Sequence, residues 1–344
     1  MRSDGNGNEH GLPADAGQQR RGTACSAARQ DHPQHHHQAK TTPLDFGKKL
    51  LSGGTAGVVA KTCIAPLERV KILFQVANIH YPYTGVVSTL QRIVQREGFL
   101  ALYKGNASSI LRVFPYAAIQ FATFDMFKRW YTPEGMSISP AANFFAGASA
   151  GAVAVMFTYP LDVTRARLAV QVEQHQYKGA LHGIMTMWRH EGGMRALWRG
   201  IQPTILGILP YAGTNFLVYD TLKWYYIHKW SSSSSSSNDI PTTLRVVFGA
   251  MAGLTGQTLT YPLDVVRRRM QIDGLKLERT YSYGYTSTWD GLRRIALQEG
   301  LSALFRGLHI NYIKVVPLVS VSFTLNDLLR RWMGLNTAGG VSKD

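Results

Sequence analysis

Three stretches of the chain, residues 141–161, 201–218 and 246–263, run 21, 18 and 18 residues without a charged side chain, close to the length at which a helix crosses a hydrocarbon layer. Three further apolar stretches are each interrupted by one cation: Lys61, Arg112 and Lys314. Taken singly, each stretch reads as well as the core helix of a soluble domain, and a mean hydropathy of -0.10 favours neither. The choice comes from how the stretches are arranged.

They fall into a threefold repeat, and a fixed period governs how everything else in a chain is read. Pro66-Leu67-Glu68-Arg69-Val70-Lys71, Pro160-Leu161-Asp162-Val163-Thr164-Arg165 and Pro262-Leu263-Asp264-Val265-Val266-Arg267 share a proline, a carboxylate two residues on and a cation three beyond it. Behind each comes a second signature: Glu97-Gly98 leading to Tyr103-Lys104-Gly105, Glu191-Gly192 to Trp198-Arg199-Gly200, and Glu299-Gly300 to Phe305-Arg306-Gly307. A third closes each unit, as Asp125-x-x-Lys128, Asp220-x-x-Lys223 and Asp327-x-x-Arg330. Each repeat therefore reads as helix, polar loop, helix. Equivalent positions demand equivalent surroundings, and a charge within a span faces a protein interior or a watery cavity. The expected fold is an all-α membrane bundle of six spans with both termini on one side and the basic Glu-Gly loops on the other. The expected units are a tail over 1–43, repeats over 44–137, 138–238 and 239–335, and a tail over 336–344. Small residues spaced i to i+4, Gly53 and Gly57, Gly147 and Gly151, Gly249 and Gly253, predict close helix packing.

The formal charge of +16 and the pI near 9.9 imply an anionic partner. Five Lys/Arg against four Asp/Glu in residues 1–43 leave that tail almost neutral, so the excess belongs to the helical body. A nucleic-acid binder would display its basic groups on an accessible face; here they interrupt or flank apolar helices. Cys25 and Cys63 supply no disulfide framework, and the run His35, His36, His37 has no second ligand cluster beside it. No metal or cofactor is expected, and without a P-loop or a nucleophile–base set neither is an enzyme. The tail is too polar to bury a core, and its acids make it a poor transit peptide. The serine run at 231–237 reads as a flexible linker between the second and third repeats.

A proline inside a helix removes a hydrogen bond and bends the axis, so Pro66, Pro160 and Pro262 at one level are expected to draw three helices together. Just beyond, carboxylate and cation leave each helix at different angles, so each cation is expected to meet another repeat's carboxylate: Glu68 with Arg165, Asp162 with Arg267, Asp264 with Lys71. The same rule at the far end pairs Asp125 with Lys223, Asp220 with Arg330 and Asp327 with Lys128. Two rings make two gates. Ordinary helix-surface i,i+3 pairs are the plain alternative, but they give no reason for six sets at symmetric positions.

Through the tripled Pro-x-Asp/Glu-x-x-Lys/Arg and Asp/Glu-Gly…aromatic-Lys/Arg-Gly motifs, residues 46–333 resemble the mitochondrial carrier family. The resemblance implies a monomeric, alternating-access carrier of the mitochondrial inner membrane, termini toward the intermembrane space, with cardiolipin among its lipid contacts. It places Glu68/Lys71, Asp162/Arg165 and Asp264/Arg267 in a matrix gate braced by Gln75 and Gln271. It places Asp125/Lys128, Asp220/Lys223 and Asp327/Arg330 in a cytosolic gate, with Phe124 and Tyr219 before the first two carboxylates. Ala169 and Asn326 depart from the family pattern. Seven residues past Gly105, Gly200 and Gly307 stand Arg112, Gly207 and Lys314, the family's substrate-contact positions. With Lys61, the two cations suit a multiply charged anion. Gly207-Ile208 is similar to the adenine-nucleotide type, and Arg268 and Arg269 are expected to take further phosphate. Longer stretches around Arg112, Gly207 and Pro262 are similar to the coenzyme A carrier branch. ATP-magnesium/phosphate carriers share several of these features but carry a calcium-binding domain, and residues 1–43 hold no Asp-x-Asp-x-Asp-Gly loop. The expected function is antiport of coenzyme A or a related adenine nucleotide; a membrane scaffold that has lost transport is the remaining alternative.

Overall fold

The computed structural model describes residues 43–78, 80–83, 85–132, 139–172, 176–230, 240–275 and 283–334. Cys25, the three tail histidines, the serine run and the tail at 336–344 lie outside the described residues.

Those residues form helices and no strand. Each repeat contributes a long helix, a short one and a second long one: α1 (Pro43–Gln75), α2 (Val86–Glu97) and α3 (Asn106–Tyr131); α4 (Pro140–Val170), α5 (Ala180–His190) and α6 (Ile201–Trp230); α7 (Thr242–Ile272), α8 (Thr288–Gln298) and α9 (Leu308–Trp332). Local chemistry fixes several starts. Ser139 caps α4 by accepting from the Ala142 amide at 3.1 Å, with Pro140 at the first position. Ser287 caps α8 through the Asp290 amide at 3.2 Å.

Packing joins the repeats into a closed ring: α3 lies along α4, α6 along α7, and α9 returns to α1. The glycines of the second signature make these joints possible. Gly105, Gly200 and Gly307 adopt φ of +86°, +81° and +85°, a region side chains resist. A Cβ there would stand 2.8, 3.1 and 3.5 Å from the carbonyl oxygens of Arg165, Arg267 and Lys71. The start of each second long helix therefore rests against the cation turn of a neighbouring repeat.

The buried core gathers at the proline end. Val70, Leu73, Phe74, Tyr159, Val163, Tyr261 and Val265 pack there with Ile93, Met187 and Ile295 of the short helices. α1, α4 and α7 continue as helix through Pro66, Pro160 and Pro262. Elsewhere large apolar groups stay uncovered: Phe157 is 71% exposed and Val316 70%. In water each would forfeit about 25 cal/mol per Å² of apolar surface; against hydrocarbon there is no such loss. Trp130 and Trp332 are exposed in the last turns of α3 and α9, and Trp224 about two turns before the end of α6, near where amphipathic rings anchor spans at the interface. By length and apolar composition alone, among the described residues only Ala141–Val170 and Leu301–Trp332 qualify as spans. Polar groups such as Gln202, Asn215 and Gln257 dilute the rest.

The glycine pairs do not pack as expected. A Cβ added at Gly53, Gly57, Gly151, Gly249 or Gly253 meets nothing within 4 Å, and at Gly147 only the Phe124 ring at 3.9 Å. The physical reason is helix rotation: the faces that neighbouring helices cover carry Ser52, Ala56, Ala60, Ala146, Ala150 and Ala252, all buried, and the glycine pairs lie on other faces. Close approach falls instead at Gly54, against the Phe114 ring, and Gly256, against the Tyr211 carbonyl. Gly105→Ala should therefore destabilise the protein by about 2 kcal/mol, read as a lower Tm in detergent. Gly57→Ala should leave Tm unchanged or raise it. Equal losses in the two variants would refute this account of the joint.

Candidate functional site

Just past the prolines three ion pairs join α1, α4 and α7. Asp264 Oδ2 accepts from Lys71 Nζ at 2.8 Å and from Gln75 Nε2 at 2.9 Å. Asp162 Oδ2 accepts from Arg267 at 2.6 Å and Gln271 Nε2 at 2.8 Å. Glu68 pairs with Arg165. Every link crosses between repeats, so the three make a ring.

A second tier braces two of the links. Gln75 Nε2 also donates to the Tyr261 hydroxyl at 3.2 Å and Gln271 Nε2 to that of Tyr159 at 3.1 Å. Those hydroxyls donate onward to the carbonyls of Arg306 at 2.9 Å and Arg199 at 3.1 Å. The tyrosine precedes the proline in repeats two and three, whereas repeat one has Ala65 there. The Glu68–Arg165 link thus lacks both members of the brace, Ala65 standing for the tyrosine and Ala169 for the glutamine. The Tyr-Pro dipeptide is the sequence signal that would have found this tier.

Against the ring lies a cavity of about 350 Å³. Its wall holds Lys71, Arg267, Arg268, Lys314 and one carboxylate, Asp264, with Gly207, Ile208, Tyr211, Val155 and Leu263 supplying an apolar flank. Gly207, Ile208, Arg268 and Lys314 thus share one chamber. A Cβ at Gly207 would come 3.8 Å from Leu263, so the glycine keeps that flank open. Lys61 and Arg112 are not in the wall. Arg112 bonds Asp162 Oδ1 and Thr158 Oγ1, both at 3.1 Å, and Lys314 Nζ stands 3.5 Å from Glu68 Oε1. Arg268 reaches Asp162 at 3.3 Å and Gln271 Oε1 at 2.7 Å. Lys61 has Glu68, Arg165, Arg112 and Asp162 as its charged neighbours. The cations are held inward, on the ring's own carboxylates.

Arg269 does not belong to this chamber, which corrects the expectation that it takes phosphate. It is fully buried, bonded to Glu299 (2.9 Å to Oε2) and to the Gln75 carbonyl at 3.1 Å, with its guanidinium 5.4 Å from the Tyr283 ring centre. One residue is about 100° of helix rotation, enough to turn Arg269 away from the face that carries Arg268. It is one of three such clamps. Arg69 holds Glu97 at 2.9 Å and the Ala169 carbonyl at 3.0 Å; Arg167 holds Glu191 and the Gln271 carbonyl, the latter at 2.9 Å. Each carbonyl lies nine residues past the proline of the neighbouring repeat. The set is hard to see in sequence because Arg69 follows its proline by three residues whereas Arg167 and Arg269 follow theirs by seven, one helical turn apart. It explains the glutamate of each Glu-Gly motif as the anchor of an inter-repeat joint.

At the opposite end no ion pair among the described residues joins Asp125, Lys128, Asp220, Lys223, Asp327 and Arg330, so the three links expected there are not formed in this structure. Asp125, Asp220, Lys223 and Asp327 are exposed, and Arg330 Nε and Asn326 Oδ1 are buried without a hydrogen-bond partner. Tyr219 is half-buried on α6, and Phe124 faces Gly147. Among the described residues no cluster of His, Cys, Asp or Glu is placed to hold a metal ion.

A threefold helical bundle, shut at one end by interlocking ion pairs and holding a cationic chamber above them, has the architecture of a membrane solute carrier. The chain belongs to the mitochondrial carrier family: the profile described as "Mitochondrial carrier protein" matches residues 42–135, 137–230 and 238–337. It is 40% identical over 311 residues to "Mitochondrial carrier protein CoAc1" of Arabidopsis thaliana, covering 85% of this chain and 91% of the relative. It is 41% identical over 284 residues to "Mitochondrial coenzyme A transporter SLC25A42" of Xenopus laevis, covering 81% and 83%. It is 38% identical over 308 residues to "Mitochondrial adenine nucleotide transporter ADNT1" of Arabidopsis thaliana, covering 84% and 87%. The protein is accordingly a multi-pass protein of the mitochondrial inner membrane.

The clamps carry a pH dependence. Burial opposes the charge on Glu97, but Arg69, Lys104 and the Tyr81 hydroxyl outweigh it and hold the carboxyl below its ordinary 4.5. Hydrogen bonds from Arg269 lower Glu299 likewise, against the effect of burial. A carboxyl with a lowered folded pKa stabilises the fold above its unfolded value and ceases to as pH falls through the folded one. Thermal stability should therefore fall off below pH 4.5. A Glu97→Gln/Glu299→Gln variant should start with a lower Tm at neutral pH and show a shallower acid loss; an acid profile parallel to that of the unsubstituted protein would refute the assignment.

Proposed function

We propose that this protein exchanges coenzyme A or a related adenine nucleotide across the inner membrane by alternating access. The observation that carries the reading is the chamber: four cations and one carboxylate in a wall that also offers an open apolar flank at Gly207, Ile208 and Tyr211. Phosphates match the cations in a poorly solvated space, and the flank suits a purine ring. Relatives named as coenzyme A and adenine nucleotide transporters support the same substrate class.

In this reading the closed ring is the matrix gate and the unpaired set at the far end is the cytosolic gate, standing open, with both termini toward the intermembrane space. Arg112 and Lys314 rest on Asp162 and Glu68. An arriving phosphate competes for both cations and so withdraws support from the ring. Breaking a buried ion pair costs about 3–5 kcal/mol, which the bound anion and the forming opposite links, Asp125–Lys223, Asp220–Arg330 and Asp327–Lys128, must offset together. The ring closes within one chain, so a monomer suffices, and the basic loops at the closed end suit an acidic lipid such as cardiolipin.

Proteoliposomes preloaded with coenzyme A or ADP should take up the labelled compound. Arg112→Ala or Lys314→Ala should lower uptake at least about tenfold, equivalent to 1.4 kcal/mol, while the variants keep a cooperative thermal transition. Uptake of neither coenzyme A nor any adenine nucleotide by the unsubstituted protein would overturn the assignment. The link between Glu68 and Arg165 has its own test: Glu68→Arg combined with Arg165→Glu should retain more exchange than either reversal alone, and equal loss in all three would remove that link from the gate.

A further inference from the structure

The chamber wall holds two amides that the carrier reading leaves unused, Gln257 on α7 and Asn311 on α9. Asn311 is buried, with Oδ1 accepting from Lys71 Nζ at 3.1 Å and Nδ2 donating to Gln257 Oε1 at 2.5 Å. An ammonium can only donate, so Asn311 must turn its oxygen to Lys71 and its nitrogen to Gln257. That orientation occupies the oxygen of Gln257, which lines the chamber, and leaves its amino group without a hydrogen bond among the described residues.

Symmetry points the same way. Gln257 stands five residues before Pro262, as Lys61 stands five before Pro66, so it occupies the level of a candidate contact cation without carrying a charge. Ser109 and Thr204 fill the position of Asn311 in the other repeats, which confines the relay to the third. Lys71 is also the one lysine among the ring's three cations. Lacking the fork of an arginine, it takes its second acceptor from Asn311.

We propose that Gln257 recognises a hydrogen-bond acceptor of the substrate, a purine ring nitrogen or a phosphate oxygen, and that Asn311 is a positioning residue that fixes this amide and links it to Lys71 of the ring. The inference rests on the nucleotide reading above. A ligand that draws on the Gln257 amino group shifts Asn311 and loosens the second hold on Lys71, so occupancy of the chamber is felt at the Lys71–Asp264 link.

The test is ligand-dependent thermal stabilisation of the full chain in detergent, with coenzyme A and ADP as probes. Gln257→Leu should raise the concentration for half-maximal stabilisation about tenfold, and Gln257→Glu at least as much, since its carboxylate repels the ligand. Asn311→Leu should reproduce that rise and also lower the Tm of the empty protein. Asn311→Asp, which keeps an acceptor for Lys71, should restore the empty Tm but not the ligand response. Gln257→Leu added to Asn311→Leu should cause no further rise. An unshifted response in Gln257→Leu, with the response of Arg112→Ala abolished, would overturn this proposal and leave the nucleotide reading standing. No response of the unsubstituted protein to either probe would overturn the nucleotide reading, and this proposal with it.

Discussion

A buried carboxylate needs a positive partner, and at the ring of this bundle that partner comes from another repeat. Carboxylate and cation leave their helix at different angles, so Glu68, Asp162 and Asp264 look past their own chains to Arg165, Arg267 and Lys71. That constraint makes three separately apolar hairpins into one object. The remaining contacts at this end bring the helices near enough for it to operate: glycines with positive φ let each joint close, and the Arg69, Arg167 and Arg269 clamps fasten the short helices to carbonyls of the next repeat. Ion pairs taken out of water stabilise only when their remaining lone pairs are also satisfied, which is the physical reason for the glutamines and tyrosines beneath them.

The ring is threefold in charge but not in support. Asp162 accepts from Arg267, Arg268, Gln271 and Arg112, and Asp264 from Lys71 and Gln75. Glu68 has Arg165 and the longer contact to Lys314, with alanines where the others have a brace. A symmetric framework thus carries three unequal links, each sharing a cation with the wall of the chamber. An anion in the proposed site would act on the ring unevenly, through Arg268 at the most crowded carboxylate and through Lys314 at the barest.

The fold was legible because repetition multiplies weak signals: one Pro-x-Asp means nothing, while three in phase with three Glu-Gly turns define six helices. The spatial partners of the six ring residues followed from angular offset and threefold order. Other features were not legible for identifiable reasons. Arg269 and Arg268 are adjacent in sequence yet point to different places, since helix rotation separates neighbours. The arginine clamps hide behind a one-turn shift in the first repeat, and the Tyr159 and Tyr261 braces depend on partners more than a hundred residues away. Glycine spacing misled because it records that a face is small, not that another helix lies against it.

Which end of the bundle is closed is also absent from the sequence, because both ends carry the same grammar of carboxylate, two residues, cation. The structure separates them by what each end has left over. At the closed end the ring carboxylates, the glutamates of the short helices and even backbone carbonyls are held by cationic or amide groups, although Gln75 Oε1 and Arg267 Nε stay buried without partners. At the open end Arg330 Nε and Asn326 Oδ1 are buried without partners, and five of the six spaced glycines face empty space. Bare small faces recur at equivalent positions in all three repeats, at Gly53 and Gly57, at Gly151, and at Gly249 and Gly253, and each forgoes packing that a larger side chain would gain. A fold with a single resting arrangement would gain by filling them. In the carrier mechanism proposed here, closure at this end as the other opens would bring neighbouring helices onto those faces.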